Sequence, residues 1–284
     1  MAVPRRVTIE KLREFLLSQS SVQAPDVQRI LSYVTGRSEA WLRAYGETEV
    51  SPKAESQARE FAQRRASGEP LPYILGTAGF HGHSFLVDNR VLVPRPETEH
   101  LVDEALEFIN DKERPRVLDV GTGSGAIACS ILAETGTNVH ANAIDVSADA
   151  LLVAMANAQR LGVEPRLTFF IGDVSTPALR PFFDVIVANL PYVPTKDIAP
   201  SPDPVSFEPR IALDGGADGL DQYRRFLKHA PRLLALDGIV LMEAAPPIIA
   251  DLEALARAAF PAAEVTIGID YGKRARYVKV RTRE

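Results

Sequence analysis

The sequence predicts an α/β fold in which a seven-stranded, mostly parallel sheet with an antiparallel last strand follows a small all-α domain and a β-hairpin connector. Three observations lead there. Apolar residues recur at helical spacing over the first 75 residues, with no strand-like alternation. After Pro94, short apolar runs alternate with helical segments, the texture of a parallel sheet covered on both faces. The last two runs, 263–269 and 275–280, are joined only by the tight Asp270-Tyr271-Gly272 turn. That turn is too short for a parallel crossover, so the final strand must pair antiparallel.

In the first domain, residues 1–75, the spacing of Ile9, Leu12, Leu16 and Leu17 marks one helix. Pro25 starts a second that Gly36 stops, Ser38 caps a third, and Ser51-Pro52 opens a fourth that runs to Gly68. Trp41, Tyr33 and Tyr45 are expected to pack its core or face the next domain. Residues 76–94 form the connector, where Phe80, Phe85, Val87, Val91 and Val93 sit among glycines and turn residues. His81 and His83 flank Gly82 and read as turn residues, because two histidines with no cysteine or nearby carboxylate make a poor metal site; no metal is expected. The third domain, residues 95–284, opens with a helix at 97–110. Strands are then expected at 117–120, 139–144, 167–171, 184–188 and 238–242, ahead of the terminal pair. Helices at 148–161, capped by Ser147, and at 220–236 lie between them.

Composition narrows the class. Apolar runs such as 182–190 are about half the ~20 residues a membrane helix needs, and a charged, amphipathic stretch follows Met1–Arg6 where a signal peptide would have an apolar core. A cytoplasmic location is expected. The single cysteine, Cys129, excludes an intramolecular disulfide and a thiolate-rich zinc site, and its apolar neighbours place it in a core. Net charge is −5, whereas a chain built around a phosphate backbone usually carries a basic excess. No direct nucleic-acid or membrane partner is expected, and the chain is taken as a monomer.

The loop Asp119-Val120-Gly121-Thr122-Gly123-Ser124-Gly125 follows the first strand of the third domain and opens a helix. Glycines there allow close backbone approach to a ligand beyond the strand ends. A dinucleotide loop reads G-x-G-x-x-G, but here the spacing is G-x-G-x-G with a carboxylate just ahead. A carboxylate repels a pyrophosphate and favours a cation. S-adenosyl-L-methionine, a sulfonium and ammonium without phosphate, suits the loop better than NAD. Asp145 ends the second strand, where it can accept from both ribose hydroxyls, and Asp173 follows the third, where it can accept from an adenine amino group.

The fourth strand ends in Asn189-Leu190-Pro191-Tyr192. This pattern resembles the signature of methyltransferases acting on planar, weakly basic nitrogens. Such a nitrogen shares its lone pair with a π-system. The Asn189 side-chain oxygen and the Leu190 carbonyl can accept from its NH2 group and relieve the charge that develops during transfer. Tyr192 can stack on the flat acceptor and hold it in line.

Several stretches together resemble the release factor glutamine methyltransferase family over nearly the whole chain. They are Glu69-Pro70-Leu71-Pro72-Tyr73, Val93-Pro94-Arg95-Pro96-Glu97-Thr98-Glu99, Phe207-Glu208-Pro209-Arg210 with the glycine-rich 211–220, and Asp270-Tyr271-Gly272-Lys273-Arg274. The resemblance implies a class I methyltransferase fold. It implies cofactor contacts at Asp119, Gly121, Thr122, Gly123, Ser124, Gly125, Asp145, Asp173, Val174 and Asn189, with S-adenosyl-L-homocysteine as product. It implies catalysis by Asn189, Pro191 and Tyr192 and substrate contact along Asn189, Leu190, Pro191 and Tyr192. The implied substrate is the glutamine of a Gly-Gly-Gln loop in class 1 peptide chain release factors, docked by the helical domain. A ribosomal-protein glutamine and a nucleic-acid adenine (N6) stand as alternatives. The chain departs from the family at Leu190, where proline is usual, at Val174, where some members have an aromatic, and at Ala244-Ala245-Pro246-Pro247.

Overall fold

The computed structural model describes residues 7–173, 182–201, 203–270 and 272–283. The chain divides into two compact units, one formed by residues up to Gly76 together with Ala199–Phe207, the other by Thr77–Ile198 and Glu208 onward.

In the first unit, α1 (Ile9–Leu17), α2 (Ala24–Thr35), α3 (Glu39–Ala44), α4 (Pro52–Ala66) and α5 (Leu71–Leu75) enclose Leu12, Leu16, Ile30, Leu31, Leu42 and Phe61. The ends lie where the sequence chemistry puts them. Gly36 caps α2 at φ 66°, a left-handed conformation that costs glycine little, and the Ser38 and Ser51 side chains accept from the first-turn amides of α3 and α4. The aromatic expectation needs correction. Tyr33 and Tyr45 are 50% and 55% exposed, and only Trp41 packs against the core. Tyr33 leans on Phe61, and Tyr45 on Trp41 beneath the Arg37 guanidinium, so amphipathic rings cover the surface of the bundle instead of filling it.

The second unit begins with the hairpin β1 (Thr77–Phe80) and β2 (His83–Leu86), turned through His81 and Gly82 at φ 46° and 74°. Tertiary structure brings His81 the carboxylates that sequence proximity lacked. Its Nε2 lies 3.0 Å from Asp103 and its Nδ1 bonds Glu134, which raises its pKa despite partial burial. No group of three or more His, Cys, Asp or Glu side chains arranged to hold a metal occurs among the described residues.

There follow α6 (Glu99–Ile109), β3 (Arg116–Val120), α7 (Ala126–Ala133), β4 (His140–Asp145), α8 (Ala148–Arg160), β5 (Leu167–Ile171) and β6 (Phe183–Ala188). The unit closes with α9 (Asp221–Leu227), α10 (Ala230–Leu233), β7 (Leu234–Glu243), α11 (Ile249–Ala259), β8 (Glu264–Ile269) and β9 (Ala275–Arg281). The seven strands run in the order β5-β4-β3-β6-β7-β9-β8, parallel except for β9, which is antiparallel to both neighbours. This is the class I methyltransferase arrangement. Alternate strand residues feed two cores: Val117, Val185, Val187, Ile239 and Leu241 meet α6 and α7, while Leu118, Ile186, Val240 and Met242 meet α9 and α11. The helix expected at 220–236 is instead two short ones, because Pro231 has no N–H to continue the ladder; β7 then starts before Gly238. Among the described residues, no helix is long and apolar enough to cross a membrane.

Candidate active site

Strand order reverses between β3 and β6, and beyond the carboxyl ends of these strands and β4 lies a cavity of about 400 Å³. Gly121, Thr122, Gly123, Ser124, Asp145, Asp173, Asn189, Leu190 and Pro191 all line it.

Gly121, Gly123 and Gly125 adopt φ of 71°, 55° and 77°, a left-handed path that explains the three glycines. Two carboxylates hold that path. Asp145 accepts from the Gly123 amide at 2.9 Å through Oδ2 and from the Ser147 amide at 2.9 Å through Oδ1. Asp119 lies beneath the loop and not on the cavity wall. Its Oδ2 accepts from Thr122 Oγ1 at 2.7 Å and from the Ala128 amide at 3.2 Å. Asp119 Oδ1 is buried with no hydrogen-bond partner, and burial pushes the carboxyl up to about 6. An orphaned anionic oxygen under the loop fits a cationic ligand above it. Gly125 does not line the cavity; a Cβ there would press on Ala154 at 3.1 Å, so its glycine is needed for helix packing. Asp173 stands at the cavity edge with Arg225 Nη2 2.7 Å from its Oδ2. Val174 lies outside the described residues.

Distant partners pin the segment after β6. Asn189 Nδ2 donates to Thr98 Oγ1 at 3.1 Å, and the Leu190 amide donates to the Tyr223 hydroxyl at 3.2 Å. Tyr223, fully buried on α9, donates in turn to the Glu243 carbonyl at the end of β7. The Leu190 side chain packs on Gly121, where a Cβ would meet its Cδ2 at 3.0 Å, and the departure from proline supplies the amide that bonds Tyr223. Tyr192 is not on the cavity wall; its hydroxyl donates to Glu243 Oε1 at 3.2 Å, and burial near that carboxyl raises its pKa. Backbone from 213–219 braces the segment from the other side. The Val193 amide donates to the Leu213 carbonyl and the Val193 carbonyl accepts from the Gly215 amide, both at 2.9 Å, and a Cβ on Gly219 would sit 2.4 Å from the Tyr192 carbonyl oxygen.

Two motifs singled out in the sequence also meet. Glu208, buried, accepts from the Val93 amide at 3.3 Å and from Arg95 Nη2 at 2.6 Å. Among the described residues, the three arginines on the cavity wall each face a carboxylate: Arg90 with Asp88, Arg95 with Glu208, Arg225 with Asp173. Their positive charge is therefore locally compensated. Sequence reasoning gave no role to Thr98, Tyr223 or Glu243. Thr98 lay inside a quoted motif, but no spacing rule connects it to Asn189.

A family described as methyltransferase domain matches residues 111–266, and one described as PrmC N-terminal domain matches residues 9–76. The chain is 41% identical over 230 residues to a release factor glutamine methyltransferase of Bordetella pertussis, covering 80% of this chain and 84% of that one. It is 36% identical over 267 residues to the Deinococcus radiodurans protein of the same name, covering 93% and 94%. Among solved structures, the catalytic domain of hMettl16 in complex with the MAT2A 3′UTR hairpin 6 shares the fold, with a TM-score of 0.55 at 15% identity over 81% of each chain.

Proposed function

The chain belongs to the release factor glutamine methyltransferase family, and from that premise we propose that it methylates the side-chain nitrogen N5 of the glutamine in the Gly-Gly-Gln motif of class 1 peptide chain release factors. S-adenosyl-L-methionine supplies an electrophilic methyl group on a sulfonium when bound and leaves as S-adenosyl-L-homocysteine. The observation that carries this reading is a single cavity lined by the glycine loop, Asp145, Asp173 and Asn189-Leu190-Pro191.

In this reading Gly121, Thr122, Gly123 and Ser124 bring backbone against the cofactor, Asp119 supplies negative potential from below, and Asp145 takes the ribose hydroxyls. Asp173, oriented by Arg225, accepts from the adenine amino group. Asn189 Oδ1 and the Leu190 carbonyl accept from the two N–H groups of the glutamine amide. This draws its lone pair out of conjugation and toward the methyl carbon, and the amide gives up one proton to solvent as the new bond forms. Pro191 shapes the segment, and Tyr192, anchored to Glu243 behind the cavity wall, holds it in place. A Gly-Gly-Gln loop suits the site because its glycines let an extended glutamine enter without side-chain clashes. Residues 1–75 dock the protein substrate, 76–94 connect, and 95–284 carry the chemistry, as a monomer in the cytoplasm where release factors act.

The test offers purified release factor, ribosomal protein, rRNA and duplex DNA in parallel with labelled cofactor, followed by mass spectrometry of the acceptor. Label on the release-factor glutamine is expected. Label on nucleic acid alone would overturn the reading, and label on the ribosomal protein alone would keep the chemistry and change the substrate.

A further inference from the structure

We propose that Thr98 is a positioning residue for methyl transfer, whose hydroxyl sets the Asn189 amide so that Nδ2 faces Thr98 and Oδ1 faces the methyl acceptor. This rests on the reading of Asn189 as the acceptor of the substrate NH2 group.

An asparagine amide is nearly symmetric in shape, and rotation by half a turn about its last torsion exchanges an acceptor for a donor at little steric cost. Only one orientation serves here, because an Asn189 NH2 turned toward a substrate NH2 would set donor against donor. The bond from Nδ2 to Thr98 Oγ1 at 3.1 Å is the useful orientation. Thr98 is 4% exposed and sits in the Pro96–Thr98 turn that leads into α6. Its hydroxyl carries one proton, and what becomes of that proton decides which end of Asn189 it can meet.

In the proposed arrangement the proton turns toward Glu243. This carboxyl, 2% exposed at the end of β7, accepts from the Tyr192 hydroxyl at 3.2 Å, and Thr98 is among the groups that act on it. Burial raises its pKa, and Thr98 and Tyr192 oppose that rise. A carboxyl offers acceptor lone pairs whether or not it carries a proton. Thr98 turned to such an acceptor presents its own lone pairs to Asn189, which only an NH2 group can meet. Donation runs from Asn189 to Thr98 to Glu243, with Tyr192 donating to the same carboxyl from the other side. The first and last residues of Asn189-Leu190-Pro191-Tyr192 are thus referenced to one buried carboxyl, and buried networks of this kind specify a single arrangement.

The test compares Thr98→Val, which keeps the shape and loses the hydroxyl, with Thr98→Ser, which keeps the hydroxyl and loses the methyl. Thr98→Val should lower kcat by about 10–100-fold, the scale for a misplaced hydrogen-bonding group at a reacting centre, with KM for both substrates and cofactor affinity within about threefold of wild type. Thr98→Ser should retain at least about a third of wild-type kcat even where its melting temperature falls further than that of Thr98→Val. Wild-type kcat in Thr98→Val, equal losses in the two variants, or a loss carried by KM would each overturn the proposal. Should Thr98→Val fail to fold, Glu243→Gln reads the same chain, because its amide can donate to Thr98 and release the hydroxyl proton toward Asn189. A loss of kcat of about tenfold or more is expected there, and an unchanged kcat overturns the proposal. If wild-type enzyme labels an acceptor other than release factor, the same ratios are measured on that acceptor, so the substrate reading can fail by itself.

Discussion

The glycine loop after β3 and the segment after β6 line the same cavity, yet the first is held by residues near in sequence and the second by residues far away. Asp119 reaches Thr122 and Ala128 across three and nine positions, and Asp145 reaches Gly123 across 22. Asn189, Leu190 and Tyr192 find their partners across 91, 33 and 51 positions. In the proposed reading, the difference follows from the tasks. A cofactor loop needs glycines to make an unusual path and carboxylates to hold it, and both can be supplied within two consecutive βα units. A segment that orients a reacting amide needs acceptors aimed in particular directions, and residues from three other elements supply that constraint.

If the halves are separable, Asn189→Ala should have the largest effect. Methyl transfer should fall by about 10³-fold, about 4 kcal/mol, while cofactor affinity by calorimetry stays within about threefold. An equal collapse of cofactor affinity in a folded variant would show one coupled site and break the comparison. The loop half is probed next through Asp119. Its carboxyl is raised by burial from the ordinary aspartate value to about 6, so between those values the folded state holds a proton that the unfolded chain releases. Stability therefore falls as pH rises through about 4 to 6 and stays lower above, by on the order of 3 kcal/mol from this group. Denaturant titrations of wild type and Asp119→Asn across this range should converge at the acid end and diverge toward neutrality; parallel curves would remove Asp119 as a buried charge.

Asp145→Ala sharpens the local side of the comparison. Cofactor binding should weaken by about 1.5–3 kcal/mol, the scale of a charge-assisted hydrogen bond, and the melting temperature should fall as the Gly123 and Ser147 amides lose their acceptor. Unchanged affinity would refute the ribose assignment. The smallest effect expected is that of Tyr192→Phe, which keeps the ring and loses the bond to Glu243. Turnover should drop by about fivefold, about 1 kcal/mol, with cofactor affinity intact. A larger loss in cofactor binding than in turnover would place the ring on the wrong side of the cavity.

Much of this was legible in the sequence, and where it was not, the reason is physical. Helix ends followed Gly36, Ser38 and Ser51, because capping is a contact between residues a few positions apart. The antiparallel β9 followed from a turn too short for a crossover. Pro231 lies inside the helix expected at 220–236, and that one expected helix became two. The exposed rings of Tyr33 and Tyr45 misled because an aromatic alone does not tell which face of its helix is covered.

By itself the sequence determined the α/β alternation, the G-x-G-x-G loop with its following acids, and Asn189-Leu190-Pro191-Tyr192 at a strand end, since each is written in neighbouring residues. Tertiary structure alone decided that Asp119 lies under the loop with one oxygen unpartnered, that Arg225 holds Asp173, and that Arg95 meets Glu208. It also decided that Thr98, Tyr223 and Glu243 converge on the segment from Asn189 to Tyr192. Those partners lie between 33 and 113 positions apart. Spacing along a chain carries information only over the reach of a turn, a helix or a βα unit; beyond that, which side chains meet is set by the order and register of the strands that carry them.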